Sequence, residues 1–340
     1  MNKYYIYIIA AVLILIIKLL NINSERINYM PVQTLAQSLI NNIGRVICGK
    51  NDKISFIITA LLAGGHVLID DIPGTGKTSL ARALAKSIDC ECRRVQFTPD
   101  LLPSDLTGIN YYNQKQNEFI FRKGPVFTNI LIADEINRTT PRTQSALLEC
   151  MEERQTTVDG VTYKLDQPFF VMATQNPIES QGTFPLPEAQ IDRFLMKLAL
   201  GYPDPADEKA MLDRFIESSP LDTLGAVCRR EEVNAAILSV KLVKVSDAIR
   251  DYIIKIVNAT RESEKIRHGV SPRGALSLLR ASQSYAAVTG RDYVLPDDVK
   301  SIAVSVLAHR IISRSQSTIR LSESNENIIE YILDGVKAPI

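Results

Sequence analysis

The stretch Leu68-Ile-Asp-Asp-Ile-Pro-Gly-Thr-Gly-Lys-Thr-Ser-Leu80 constrains this chain more than any other. The apolar run from His66 to Ile69 reads as a buried strand, and Ser79 to Lys86 carries a helical period. A turn between them containing Gly74 and Gly76 lets the backbone curl, because a residue without Cβ enters conformations closed to others. In the loop Pro73-Gly74-Thr75-Gly76-Lys77-Thr78-Ser79, the backbone N–H groups after Pro73 that converge at a helix start form a phosphate cradle. Lys77 is placed to reach the β- and γ-phosphates, and the Thr78 hydroxyl to take one position on Mg²⁺. One departure stands out. The first glycine of G-x-x-x-x-G-K-[ST] is here Asp71.

The 340 residues suggest two domains, or one large one. A net charge of +1 makes no electrostatic case for nucleic acid or an anionic surface. The five cysteines are odd in number and scattered, which fits reduced thiols better than a disulfide frame. Cys90-Glu-Cys92 reads as two ordinary thiols.

Tyr4 to Leu20 is apolar but for Lys18. As a helix it reaches about 25 Å, slightly short of a hydrocarbon core of about 30 Å, and Lys3 and Lys18 could snorkel to the interfaces. The polar sequence after it offers no signal-peptidase site. An uncleaved N-terminal hydrophobic helix anchoring the chain to a membrane is the expectation. The alternative is a start at Met30, where globular patterning begins. Because the chemistry needs ATP, the bulk of the chain is expected in the cytoplasm, at the inner face of the membrane if anchored.

Helices are expected over Gln33–Ile43 and Ser55–Leu62. The turn between them could wall a base with Val46 and Ile47, or serve as a core turn. Arg93–Phe97 predicts a second strand, and Tyr111–Phe121 a hairpin with a polar tip. Ile130-Leu-Ile-Ala-Asp134-Glu135 is the second chemical element. A buried parallel strand delivers carboxylates at its C-terminal edge, where ligands sit. There Asp134 would hold the metal and Glu135 would take the proton of an attacking water. A helix capped at Thr140-Pro141, a hairpin turning at Asp159-Gly160 and a strand Phe169–Thr174 follow. Asn176 could orient that water, or be a turn residue before Pro177. Leu186–Phe194 predicts a further helix, whose Asp192-Arg193 alone would read as a surface ion pair. Tyr202-Pro-Asp-Pro205 marks the best boundary, and everything beyond it reads helical. Ser271-Pro272 caps one helix and sets Arg273 at its start, where it could face a phosphate between domains.

From about Pro31 onward the chain resembles the MoxR family of AAA+ ATPases. The resemblance rests on Ala173-Thr-Gln-Asn-Pro-Ile-Glu, Gly182-Thr-Phe-Pro-Leu-Pro-Glu-Ala-Gln-Ile-Asp-Arg-Phe194 and Asp134-Glu-Ile-Asn-Arg, with Thr143-Gln-Ser-Ala-Leu-Leu-Glu149, Ser271-Pro-Arg273 and Gly290-Arg-Asp-Tyr-Val294. That family also carries Asp-x-Pro-Gly in its phosphate loop, but not the segment Tyr4–Leu20. The resemblance implies an α/β fold: an AAA+ P-loop NTPase core with a parallel sheet over 30–203, then a smaller all-α lid over 204–340, with 1–29 outside both. It implies ATP as the nucleotide with Mg²⁺, Lys77 and Thr78 as Walker A, Asp134 and Glu135 as Walker B, and Asn176 and Arg273 as sensors 1 and 2. Arg193 looks like the arginine finger that acts on the adjacent subunit's nucleotide. It further implies a homo-oligomeric ring, usually a hexamer, a partner carrying a von Willebrand A domain, and chaperone-like remodelling of client complexes. A magnesium-chelatase-like subunit, an AAA+ nucleic-acid motor and a scaffold that binds ATP without turnover are the alternatives. The single cation at the first hairpin tip, Lys115, argues against nucleic acid.

Overall fold

The computed structural model of the chain describes residues 30–71, 74–176, 182–216, 219–314 and 324–339. The anchor segment Tyr4–Leu20 and Pro73 of the phosphate loop lie outside them. Among the described residues no helix is long and apolar enough to cross a membrane.

The strands up to the expected boundary are β1 (Val67–Asp70), β2 (Cys92–Gln96), β3 (Gly108–Asn113), β4 (Glu118–Lys123), β5 (Ile130–Asp134), β6 (Gln155–Val158), β7 (Val161–Lys164), β8 (Phe170–Gln175) and β9 (Met196–Leu198). Five of them form one parallel sheet in the order β2-β5-β8-β1-β9. Ile130, Leu131, Ile132 and Ala133 are each exposed by 1% or less, as expected of an inner strand covered on both faces. Register then decides the chemistry. Gln96 stands opposite Asp134, and Asp70 opposite Gln175, so the polar ends of the strands gather along one edge.

The helix after the glycine turn runs Lys77–Ile88 and buries Leu80, Ala83, Leu84 and Ile88. Pro141–Glu153 starts with Pro at its first position, but Thr140 makes no side-chain cap, its carbonyl instead accepting the Thr143 and Gln144 N–H groups. The two hairpins, β3–β4 and β6–β7, lean on each other. Phe121 stacks on Tyr163 with centroids 4.1 Å apart, and Asn110 donates to Asp159 at 2.8 Å.

Two expectations change. Leu186–Phe194 does not form a full helix: only Glu188–Ile191 is helical, and the chain passes straight into β9. Strand β9 has three residues and sits at the sheet edge, too short to show a period in the sequence. Beyond Pro205 the described residues are helical, as expected, save for one antiparallel ladder, β10 (Ile266–His268) with β11 (Ile312–Ser313), and an isolated parallel bridge between Lys244 and Tyr293. The helices there include Pro205–Phe215, Arg230–Val240, Asp247–Glu262, Pro272–Val288 and Pro296–Leu307. Ser271 caps Pro272–Val288 by accepting from the Gly274 N–H at 3.2 Å.

His66 explains a local constraint that patterning leaves unassigned. The Val171 N–H donates to its Nδ1 at 3.0 Å, so Nε2 carries the proton and donates to the Met151 carbonyl at 3.1 Å. Burial first, and Arg154 second, lower its pKa from 6.5 to about 3. The folded state holds His66 neutral, whereas the unfolded chain takes up a proton below about pH 6.5. Stability should therefore be complete above pH 6.5 and fall as pH drops from 6.5 towards 3. Urea midpoints across that window should decline more shallowly in a His66→Phe variant.

Candidate nucleotide site

At the end of β1 the chain turns through Gly74 and Gly76, at φ of 88° and 84°. Both lie in the left-handed region that glycine enters without strain. A Cβ on Gly74 would meet nothing within 4 Å, so the loop encloses open space there. The Ile47 side chain approaches Gly76, its Cδ1 3.5 Å from where a Cβ would stand, while Val46 is buried at 4% exposure. Of the expected base-wall pair, Ile47 is thus the one beside the loop.

Asp71, where glycine was expected, is buried. Its carboxylate accepts the Leu200 N–H at 3.0 Å and the Gly201 N–H at 2.9 Å. Its carbonyl accepts Lys77 Nζ at 2.8 Å. The position therefore ties the start of the phosphate loop to the chain leaving β9.

A cleft of about 400 Å³ joins Gly74, Gly76, Lys77, Thr78 and Ser79 to Asp134, Glu135, Thr174 and Asn176. Here the structure brings together residues that the sequence scatters over a hundred positions. The Thr174 hydroxyl donates to Asp134 Oδ1 at 2.5 Å and accepts the Glu135 N–H at 2.9 Å. Arg94 donates to Asp134 Oδ2 from Nε at 3.0 Å and Nη2 at 2.7 Å. Glu135, at φ 56°, breaks from the strand in a left-handed conformation. Gln96 Nε2 donates to its Oε2 at 2.6 Å, and Arg138 Nη1 lies 3.0 Å from the same oxygen. The left-handed backbone and these two donors hold the Glu135 carboxylate at the cleft.

The oxygens offered by Thr78 and Asp134 suit a hard divalent cation. Arg94, its side chain 46% exposed, is the partner able to withdraw when such a cation takes Asp134. Gly-loop cradle and donor set both fit a magnesium-bound nucleoside triphosphate.

Arg193 and Arg273 do not line this cleft. They meet elsewhere, in a cavity of about 250 Å³ that also holds Arg154, Arg280, Glu152 and Asp192. Glu152 Oε1 accepts Arg273 Nη2 at 2.8 Å, and Oε2 lies 3.3 Å from Arg193 Nε. Arg273, expected at a helix start facing a phosphate between domains, stands at that start and shares the Glu152 carboxylate with Arg193. A third arginine fixes the ground beneath them. Arg310, 1% exposed, donates to Asp192 Oδ1 at 2.7 Å and to the carbonyls of Asp192, Phe194 and Leu195 at 3.1, 2.6 and 3.2 Å. Burial lowers its pKa to about 10, which leaves it charged at neutral pH.

Sequence reasoning missed Arg94, Gln96, Thr174, Glu152 and Arg310. For Gln96 and Thr174 a signal existed, since both stand at or next to the C-terminal end of sheet strands, where ligands bind. The others depend on tertiary packing.

Comparison with known proteins agrees with this geometry. Residues 66–196 match the model of the ATPase family associated with various cellular activities (AAA), and 258–332 match the AAA lid domain. The chain is 49% identical over 301 residues to the uncharacterized protein YeaC of Bacillus subtilis, covering 88% of this chain and 94% of that one. It is 38% identical over 321 residues to chaperone MoxR1 of Mycobacterium tuberculosis, covering 91% of this chain and 83% of that one. A crystal structure of a candidate ATPase from Cytophaga hutchinsonii superposes with a TM-score of 0.85 at 38% identity, over 94% of this chain and 99% of that one. With a glycine-loop cleft, a helical lid and these relatives, the chain belongs to the MoxR family of AAA+ ATPases.

Proposed function

We propose that this ATPase works as a homo-oligomeric ring, a hexamer, in which Mg²⁺-dependent ATP hydrolysis drives chaperone-like remodelling of partner protein complexes. The observation that carries the reading is the split of the catalytic set. Lys77, Thr78, Asp134, Glu135 and Asn176 share one cleft, whereas Arg193 lies outside it with Arg273. A protomer that keeps its arginines away from its own cradle has them available for another copy's.

In this reading the loop N–H groups and Lys77 bind the β- and γ-phosphates, Lys77 leaving the Asp71 carbonyl to do so. Thr78 and Asp134 would hold Mg²⁺, which supplies positive charge to the phosphate oxygens. Glu135, aimed by Gln96 and Arg138, accepts a proton from the water that attacks the γ-phosphorus, and Asn176 orients that water. Arg193 of the adjacent copy meets the charge that develops on the transferring phosphoryl group, and Arg273 reaches the same nucleotide from the same side. The two hairpins, with Phe119 and Tyr112 exposed by 73% and 48% on the first and Val161 by 50% on the second, are the parts presented to a client or to a von Willebrand A partner. The 30–203 and 204–340 segments serve as nucleotide-binding domain and lid. The cytoplasm is the compartment this activity needs, with Tyr4–Leu20 as anchor.

A Glu135→Gln variant tests the coupling. It should retain ATP and hold the ring closed on its client, so that a pull-down in ATP recovers a defined protein complex absent from the Lys77→Ala control. Recovery of the same proteins with both variants, or of none, argues against remodelling.

A further inference from the structure

Glu152 does more than neutralise surface charge. We propose that Glu152 is a positioning residue that gathers Arg193 and Arg273 into one phosphate-facing pair; this rests on the reading that Arg193 serves an adjacent copy's nucleotide. Its carboxylate touches each guanidinium at a single nitrogen, Nε of Arg193 and Nη2 of Arg273. Arg193 Nη1 and Nη2, and Arg273 Nε and Nη1, have no protein acceptor among the described residues, so most of their donors stay unspent. Arg193 Nε itself makes no hydrogen bond, so its contact with Glu152 is Coulombic and leaves the fork able to turn. Two guanidinium groups that contact one carboxylate repel one another, and the negative charge they share offsets that repulsion. The cavity around them carries Arg154, Arg193, Arg273 and Arg280 against Glu152 and Asp192, a cationic excess suited to a polyphosphate.

The three side chains come from three segments, and each segment is pinned independently. The end of Pro141–Glu153 is held by His66 on the Met151 carbonyl and by Arg154 Nη2 on the Gly64 carbonyl. The turn bearing Arg193 is held by Arg310, and by the Leu195 N–H on the His66 carbonyl at 2.8 Å. The start of Pro272–Val288 is fixed by its Ser271 cap, whose hydroxyl also lies 3.4 Å from Asp192 Oδ2. Their convergence on Glu152 is therefore a property of the fold and not of one rotamer. Ion pairs with this exposure add little stability, so Glu152→Gln is expected to fold.

Steady-state ATPase of assembled protein provides the test. Glu152→Gln should lower kcat by about 10- to 100-fold, the range for a misplaced catalytic group, with KM for ATP within about twofold. Mixing it with Lys77→Ala subunits, which keep an intact arginine face, should restore turnover per functional cradle. Mixing it with Arg193→Ala subunits should restore nothing, because both lack the same face. A Lys77→Ala plus Arg193→Ala mixture is the control for the shared-site reading itself; if that control stays inactive, the shared site fails and Glu152 is not the cause. If the control recovers, then wild-type turnover by Glu152→Gln, or a loss that Lys77→Ala subunits do not relieve, overturns the positioning role. Should Glu152→Gln fail to fold by thermal melting, Glu152→Asp, which shortens the bridge and keeps its charge, carries the same comparison.

Discussion

Arg193→Ala should fold and bind ATP as the unmodified protein does, yet turn it over roughly 10³- to 10⁵-fold more slowly, the contribution of an arginine supplied across a subunit boundary. The geometry argues for so large an effect. Arg193 is remote from the Lys77 cleft of its own chain, so its loss leaves the cradle intact. Lys77→Ala should be equally inactive for the opposite reason: the cradle is spoiled and the arginine face survives. An equimolar mixture should regain activity, because some seams then pair a sound cradle with a sound arginine. Measured after co-assembly at constant total protein, the regained activity should peak near equal proportions and vanish when either variant is in large excess. Full activity of Arg193→Ala alone, or an inactive mixture that demonstrably co-assembles, would sink the shared site.

Asp71→Gly should weaken the protein although it restores the glycine that a phosphate loop usually begins with. The Asp71 carboxylate satisfies two N–H groups, of Leu200 and Gly201, at 3.0 and 2.9 Å. Leaving a buried donor without an acceptor costs about 1–3 kcal/mol, and a new glycine adds about 0.5–1 kcal/mol of backbone entropy. Relief of loop strain cannot offset this, since the left-handed turns fall at Gly74 and Gly76 rather than at Asp71. With the buried Leu200 donor orphaned, the sum, on the order of 1.5–4 kcal/mol, should lower the urea midpoint and loosen the chain after β9, with faster amide exchange at Leu200 and Gly201. Asp71→Asn, which keeps one acceptor oxygen, should lose less. An unchanged midpoint in Asp71→Gly would show that the tether is idle.

What could be read in advance was local. Gly74, Gly76 and Lys77 announce themselves within one turn, and Asp134 and Glu135 follow an apolar run that only a buried strand explains. Strand ends and hairpins were placed to within a few residues for the same reason, as at Asn113–Glu118. The remainder depends on who stands opposite whom. Gln96 reaches Glu135 because β2 and β5 pair in one register, and a shift by one residue would turn it away. Asp71 finds Leu200 across 129 positions, and Arg273 finds Glu152 across 121, distances over which no period survives. Strand β9 was missed because three residues at an edge carry no pattern. The helix start that carries Arg273 was legible from Ser271-Pro272, but its neighbour Glu152 was not.

The buried guanidinium of Arg310 sets a mechanical condition on the whole enzyme. It clasps Asp192, Phe194 and Leu195 while its own backbone follows Pro296–Leu307, so any hinge opening between those parts would break the hydrogen bonds that cross from Arg310 to 192–195. A hydrogen bond to a charged group contributes about 1.5–3 kcal/mol net of the water that would replace it. That is a stiff joint. Bending inside one protomer at this point is thus disfavoured, and in the ring proposed above the stroke that follows hydrolysis would pass between neighbouring copies rocking against each other, like staves in a barrel.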